Sequence, residues 1–384
     1  MIRARHAFGA CAAAVLLAAC GSKGPVREPA ELQRIDQAEV APDVLWDKSP
    51  GRGDGEQESR LRLAVEADLL VTADAEGDVY ALDPKDGSRR WHVDTGARLI
   101  AGPSVHGDYV LLGTLDAQVI ALKRSDGSEA WRATVSSEVL APPVGDGGVI
   151  VVRCGDGKVF GLSADNGVRR WSFDRAVPAL TLRGQSTPLI HEGVAVIGLD
   201  SGRAAALRVE TGEVLWEEVV SAPEGRSELE RIVDVDGELL TAGGGLYAVS
   251  FGGDLAAIGL AEGRVAWRRP IKSYTGAALL GSTLLVSDES GIVWALDAET
   301  GAAAWKQEAL KYRRLSAPVV VGGYVVVGDF EGYLHWLSPR DGRLVGRVHA
   351  VGDAVATTPI VRDDVLYVLD REGDVAAVQT KAVN

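Results

Sequence analysis

Apolar and polar residues alternate along the chain in short runs, and the runs are punctuated at regular intervals by Asp- and Gly-bearing turns. The stretch Val79-Tyr80-Ala81-Leu82 has strand composition and a period of two. Asp83-Pro84-Lys85-Asp86-Gly87 follows as a turn. Asp can accept from the backbone two residues on, and Gly takes the positive φ that closes a tight reversal. An outgoing run then carries Trp91. The segment is therefore a predicted β-hairpin with a large aromatic at a fixed place on its second strand.

The same frame, Gly-x-apolar-x-Ala-Leu, then a turn Gly, then Trp, opens at 77, 117, 157, 202, 253, 291, 332 and 373. Position 117 is Ala and the other seven are Gly. The seventh copy has Gly346 in place of Trp, and the eighth is truncated. An anchor stands 14 residues before each opening: Leu63, Pro103, Pro143, Pro188, Leu239, Ala277, Pro318 and Pro359. Pro is tolerated at a strand start but not in a strand centre. Another apolar run lies between anchor and opening, such as Val110-Leu111-Leu112-Gly113 or Val149-Ile150-Val151-Val152. Each unit thus holds four short antiparallel strands, A to D, with the Ala-Leu strand as C and the Trp strand as D.

The spacings of 38 to 51 residues match the period of a propeller blade. The expected fold is all-β: an eight-bladed β-propeller of four-stranded antiparallel blades over residues 42–384. The eighth unit has no D strand before the chain stops, and one Trp-bearing run, Val44-Leu45-Trp46-Asp47, is left unassigned at the other end. That N-terminal strand is expected to complete blade 8 and close the ring, leaving no open blade edge. The Trp residues recur at one place in unit after unit, so their expected role is packing between blades rather than ligand stacking.

Residues 1–19 read as a signal peptide. Arg3 and Arg5 form a basic start, and the apolar stretch Ala7 to Ala19 is too short to span a bilayer. It ends Leu17-Ala18-Ala19-Cys20, which resembles the lipobox of bacterial lipoproteins and implies cleavage before Cys20 and acylation of that cysteine. Gly21 and Ser22 follow, not Asp, which by the lipoprotein sorting rule implies the outer membrane, facing the periplasm. Residues 20–41 read as a flexible acylated tether, with a weak helical turn around Glu31–Gln37. Loss of residues 1–19 takes the net charge from −14 to −16, which argues against nucleic acid and anionic lipid surfaces as partners. Cys154 is then the one cysteine besides the acylated Cys20, expected as a small buried hydrophobe on strand B of blade 3.

Function is expected where the repeat departs from its own average. From each Trp position to the next anchor the connections into blades 1 to 8 run 17, 12, 12, 17, 23, 10, 13 and 13 residues. Insertions on a repeat scaffold map to loops of one face, often the binding face. The first, 47–62, is Gly- and charge-rich and expected to be mobile. The other two long connections lead into the adjacent blades 4 and 5. One carries Leu180, Leu182 and Arg183; the other carries Glu230, Arg231, Asp234 and Asp236. The leucines are expected to stay exposed unless they cover a blade edge or meet a partner. Asp234 and Asp236 are candidate ion-pair partners of Arg183. Apolar anchors beside an Arg are residue types of protein-docking hot spots.

No enzyme signature appears. The six His residues form no metal-ligand spacing, and there is no nucleophile elbow, phosphate loop or Cys pair. Asp234-Val235-Asp236-Gly237-Glu238 has the start of a calcium loop but lacks a third oxygen ligand and the distal Glu, so no metal and no cofactor are expected.

The lipobox, short tether, eight Trp-docked repeats and two loop signatures together resemble the BamB family, propeller lipoproteins of the bacterial outer-membrane β-barrel assembly (BAM) machinery. The resemblance implies a non-enzymatic scaffold that assists folding and insertion of outer-membrane β-barrel proteins. It implies docking on BamA, through that protein's POTRA domains, by a surface formed of Leu180, Leu182, Arg183, Asp234 and Asp236. Unfolded client chains added to exposed blade edges are a further implied partner. The blade-5 anchor departs from the family pattern, with Leu239 where Pro is usual. The repeats alone are also similar to those of quinoprotein dehydrogenases, which carry pyrroloquinoline quinone. An enzyme or ligand sensor of that kind, using the central channel, is the alternative reading, and an adaptor for another envelope partner is a third. The quinoproteins are much longer, and many have a vicinal cysteine pair absent here.

Overall fold

The structure is a computed structural model that describes residues 27–54, 59–183 and 186–383. The signal segment, Cys20 and the first part of the tether lie outside the described residues, as do Gly184 and Gln185. The strands fall into eight small sheets arranged as an eight-bladed β-propeller. Blade 3 is typical: Val144–Asp146, Val149–Arg153, Lys158–Ser163 and Arg169–Asp174 pair in that order, all antiparallel. No helix among the described residues is long and apolar enough to cross a membrane.

The ring closes with the N-terminal strand. Asp43–Lys48 pairs with Val375–Gln379 as strand D of blade 8, with Asp43 opposite Gln379 and Lys48 opposite Val375. The core is accordingly a ring of eight hydrophobic clusters, each shared by two neighbouring blades, with a small ninth formed by Ile100, Ala101 and Leu140. Trp46 and Tyr367 of blade 8, with Leu70 and Leu82 of blade 1, form the cluster at the closure.

The repeated phrase explains how blades join. The indole of Trp131 donates to the Ala164 carbonyl in the C–D turn of the next blade at 2.8 Å, and Trp171 does the same to Val209 at 2.8 Å. Trp46, Trp91, Trp216, Trp267 and Trp305 repeat the contact. Each ring rests on the turn glycine of that next blade. A Cβ on Gly167, whose φ is +70°, would lie 2.7 Å from the Trp131 ring. Gly and Trp therefore recur together because each blade's Trp packs on its neighbour's Gly. A β-bulge lies immediately before the Trp position in every D-strand ladder, including blade 7, where Gly346 takes that position.

Several expectations need correction. Blade 2 carries a fifth strand, Arg60–Leu61, parallel to its strand A, Leu99–His106. That strand and residues 51–54 come from the connection expected to be mobile. Gly53 accepts from Ala75 N at 3.0 Å, Asp54 N donates to the Arg371 carbonyl at 3.0 Å, and Asp54 is buried. Residues 27–41 lie against the ring rather than standing off it: Ala30 bonds Lys311, Glu39 N donates to Val345 O, and Val40 is buried. Val40 fills the space over Gly346, the position where blade 7 lacks its Trp, and Trp336 donates to Thr380 Oγ1 at 2.9 Å across the same junction. No helical turn forms at 31–37. Cys154 is buried but sits just past strand B, in the turn. In blade 5 the left-handed turn residue is Gly252, one before the repeat position Gly253.

Candidate functional site

The two long connections meet at one place in the ring, and one buried carboxylate joins them. Asp234 Oδ2 accepts the backbone N–H of Leu182 at 2.6 Å, across 52 residues of sequence. The second connection is pinned at this point from both sides. Val235 N donates to Leu199 O of blade 4 at 3.3 Å, and Phe251 N of blade 5 donates to Asp234 O at 2.9 Å. Ile232, Val233 and Val235 turn inward and are buried. This alternation, apolar at 233 and 235 with carboxylates at 234 and 236, is why the loop fastens here: Val235 joins the core between blades 4 and 5, and Val233 packs over Gly202 of blade 4.

Further out, the same connection is exposed. Glu230 accepts from Arg226 N and Ser227 N at 2.8 and 3.1 Å, and Ser227 Oγ accepts from Glu230 N at 3.3 Å. This reciprocal capping closes a turn that holds Leu229, at 71% one of the most exposed large hydrophobics of the chain. On the first connection Leu180 is 44% and Leu182 42% exposed. Both leucines remain uncovered, and Leu182 and Arg183 also line a cavity of about 1150 Å³ on the ring axis, between the inner strands of the blades.

The expected pairing of Arg183 with Asp234 or Asp236 is not formed. The Arg183 guanidinium instead meets Glu138, from the connection into blade 3. Arg183 itself has left-handed backbone, φ +57°. Asp234 and Asp236 are not surface residues: their exposures are 0% and 2%. Burial first, and the charge of Asp236 second, push the Asp234 carboxyl up to about 7 against the pull of the Leu182 N–H. The sequence reading missed three neighbours. Glu138 is one. The others are Asp200, in the turn after strand B of blade 4, and Arg153, which ends strand B of blade 3. Arg153 donates to Asp200 at 2.5 Å, both side chains buried. A lone Arg closing the apolar run 149–152 was the available signal, because a buried charge requires a partner.

A sequence profile described as "Outer membrane protein assembly factor BamB" matches residues 75–307. An outer membrane protein assembly factor BamB of Alkalilimnicola ehrlichii is 50% identical over 375 residues, covering 98% of this chain and 97% of that protein. This chain belongs to the BamB family. The crystal structure of BamB from Moraxella catarrhalis superposes with a TM-score of 0.79 at 27% identity, over 89% of this chain and 99% of that one. Quinohemoprotein alcohol dehydrogenase from Comamonas testosteroni also superposes, at TM-score 0.67 and 12% identity, over 88% of this chain and 76% of that one. That likeness shows the propeller fold alone. In this chain the candidate site is thus a pair of adjacent loops entering blades 4 and 5, with leucines outward and carboxylates inward.

Proposed function

We propose that the protein is a non-enzymatic scaffold of the outer-membrane β-barrel assembly machinery. In this reading it is acylated at Cys20, held on the periplasmic face of the outer membrane, and docked on the POTRA domains of BamA. Docking supports folding and insertion of outer-membrane β-barrel proteins. The observation that carries the reading is the pair Leu180 and Leu182, left exposed on a connection that Asp234 holds at the Leu182 N–H. An ordered loop presents its apolar groups without a large entropic cost on binding, the condition for a docking hot spot. Arg183 supplies a charged group beside them, and Leu229 adds a third apolar residue from the neighbouring loop. In this reading Asp234 and Asp236 act from behind the surface, by holding the loop, rather than by touching the partner.

The test is co-purification of BamA from detergent-solubilised envelopes. Leu182→Glu and Arg183→Glu are expected to lose BamA while keeping the wild-type melting temperature within a few degrees, because both side chains are more than 40% exposed. Undiminished recovery of BamA with either variant refutes the site.

A further inference from the structure

Asp200, Asp234 and Asp236 form the one group of His, Cys, Asp or Glu side chains among the described residues whose donor atoms could meet on a single ion. One ligand atom from each lies within 4.8 Å of the others, and the side chains are 5%, 0% and 2% exposed. They come from two elements: Asp200 from blade 4, and the other two from the connection into blade 5. Asp200 supplies the third oxygen that the spacing of Asp234-Val235-Asp236 lacks in sequence. Arg153, donating to Asp200 at 2.5 Å, compensates one of the three carboxylates. Three carboxylates gathered in one buried space are strongly unfavourable without counter-charge or protonation.

A second observation points to a ligand. Asp234 is fully buried, and while its Oδ2 takes the Leu182 N–H, its Oδ1 meets no donor. A buried acceptor left without a donor is unfavourable. The Asp234 carboxyl lies beside those of Asp200 and Asp236, where a cation would satisfy it.

We propose that Asp200, Asp234 and Asp236 hold a divalent cation, and that the cation is calcium. Three carboxylates with no nitrogen or sulfur donor suit a hard ion. Calcium takes oxygen ligands at about 2.3–2.6 Å in flexible geometry, which suits three carboxylate oxygens that all lie within 4.8 Å of one another. Magnesium demands near-ideal octahedral geometry at about 2.0–2.1 Å and gives up its water reluctantly, so it suits a buried all-protein site less well. The ion ties blade 4 to the connection entering blade 5. Through Asp234 and the Leu182 N–H it also sets the first long loop, a consequence that rests on the docking reading above.

The experiment uses the mature protein in detergent, stripped with a chelator and titrated with calcium chloride by calorimetry, alongside thermal melts. The expected result is one site and a raised melting temperature, with magnesium binding more weakly. Asp236→Asn and Asp200→Asn are expected to weaken binding at least tenfold. Calcium is also expected to slow proteolytic cleavage in residues 177–187 of the wild type, a readout that does not depend on a variant folding. No heat and no melting shift up to about 5 mM calcium, beyond the ~0.1–1 mM range of extracellular calcium modules, overturns the proposal. So does calcium binding that is unchanged in Asp236→Asn. Both readouts are made without BamA, so failure of the docking surface leaves them standing.

Discussion

If Gly and Trp recur together because each Trp packs on the next blade's turn, substitutions at the two positions must couple. The blade 2–3 junction is the cleanest place to ask. Trp131 is 8% exposed and its indole donates to Ala164. A methyl on Gly167 would lie 2.7 Å from the Trp131 ring and 2.9 Å from the Ala133 Cβ, and the φ of +70° disfavours any L-residue. Gly167→Ala therefore meets two penalties: about 1–2 kcal/mol for the left-handed backbone and about 1–3 kcal/mol for overlap. Trp131→Ala loses a buried ring and its hydrogen bond, about 3–5 kcal/mol. In the double variant the ring is gone, so most of the overlap vanishes and only the backbone penalty of the alanine stays. The double variant should be more stable than additivity predicts by about 1–3 kcal/mol. Urea unfolding followed by far-UV circular dichroism measures all four corners of the cycle. Additivity to within about 0.5 kcal/mol would refute the stacking account, because uncoupled sites behave that way.

Two further outcomes follow from the same geometry. Ala117 is the one opening position that is not Gly, yet its φ is +57°; Ala117→Gly should raise stability by about 0.5–1 kcal/mol, the relief of left-handed strain less the entropy of an added glycine, and a loss of stability in urea unfolding counts against it. His335 is buried with Nε2 against Asp329 at 2.8 Å and Nδ1 accepting from Arg347 at 3.1 Å. Burial lowers its pKa; Asp329 opposes the shift, and the Arg347 and Arg313 charges reinforce it. A depressed histidine loses stability as pH falls, because the unfolded chain takes a proton near pH 6.5 that the fold refuses. The stability difference between wild type and His335→Gln should thus be flat above pH 7 and shrink toward pH 5, by at most about 1.4 kcal/mol per pH unit. A difference that grows in that window contradicts the neutral, buried imidazole.

What the chain made legible was whatever it states repeatedly. The blade count, the order of strands, the closure by Trp46 and the location of the long loops all come from a phrase written eight times, where chance agreement at any one copy is corrected by the rest. What it states once was not legible. Gly346 marks a missing Trp, but nothing in the sequence says that Val40, some 300 residues earlier, fills the gap. Composition also misled: residues 20–41 are polar enough to read as a free tether, yet one buried valine and a backbone bond from Glu39 hold their last part to blade 7.

The candidate site divides in the same way. Loop length found it, because an insertion is visible against a ruler. The roles of its residues needed coordinates. Leu180 and Leu182 are exposed as expected, but Arg183 turns to Glu138, and the two aspartates expected beside it face inward with Asp200 and Arg153. A surface loop rich in acid is ordinarily read as solvated; here Val233 and Val235 turn inward, and the intervening period of two carries Asp234 and Asp236 in with them. The physical consequence is a division of labour. The first loop exposes the two leucines, the second packs inward beside it, and the buried Asp234 carboxylate joins the two through the Leu182 N–H. On the docking reading proposed above, Asp234→Asn and Leu182→Ala should weaken docking by different routes, one by loosening the loop and the other by removing what the loop presents.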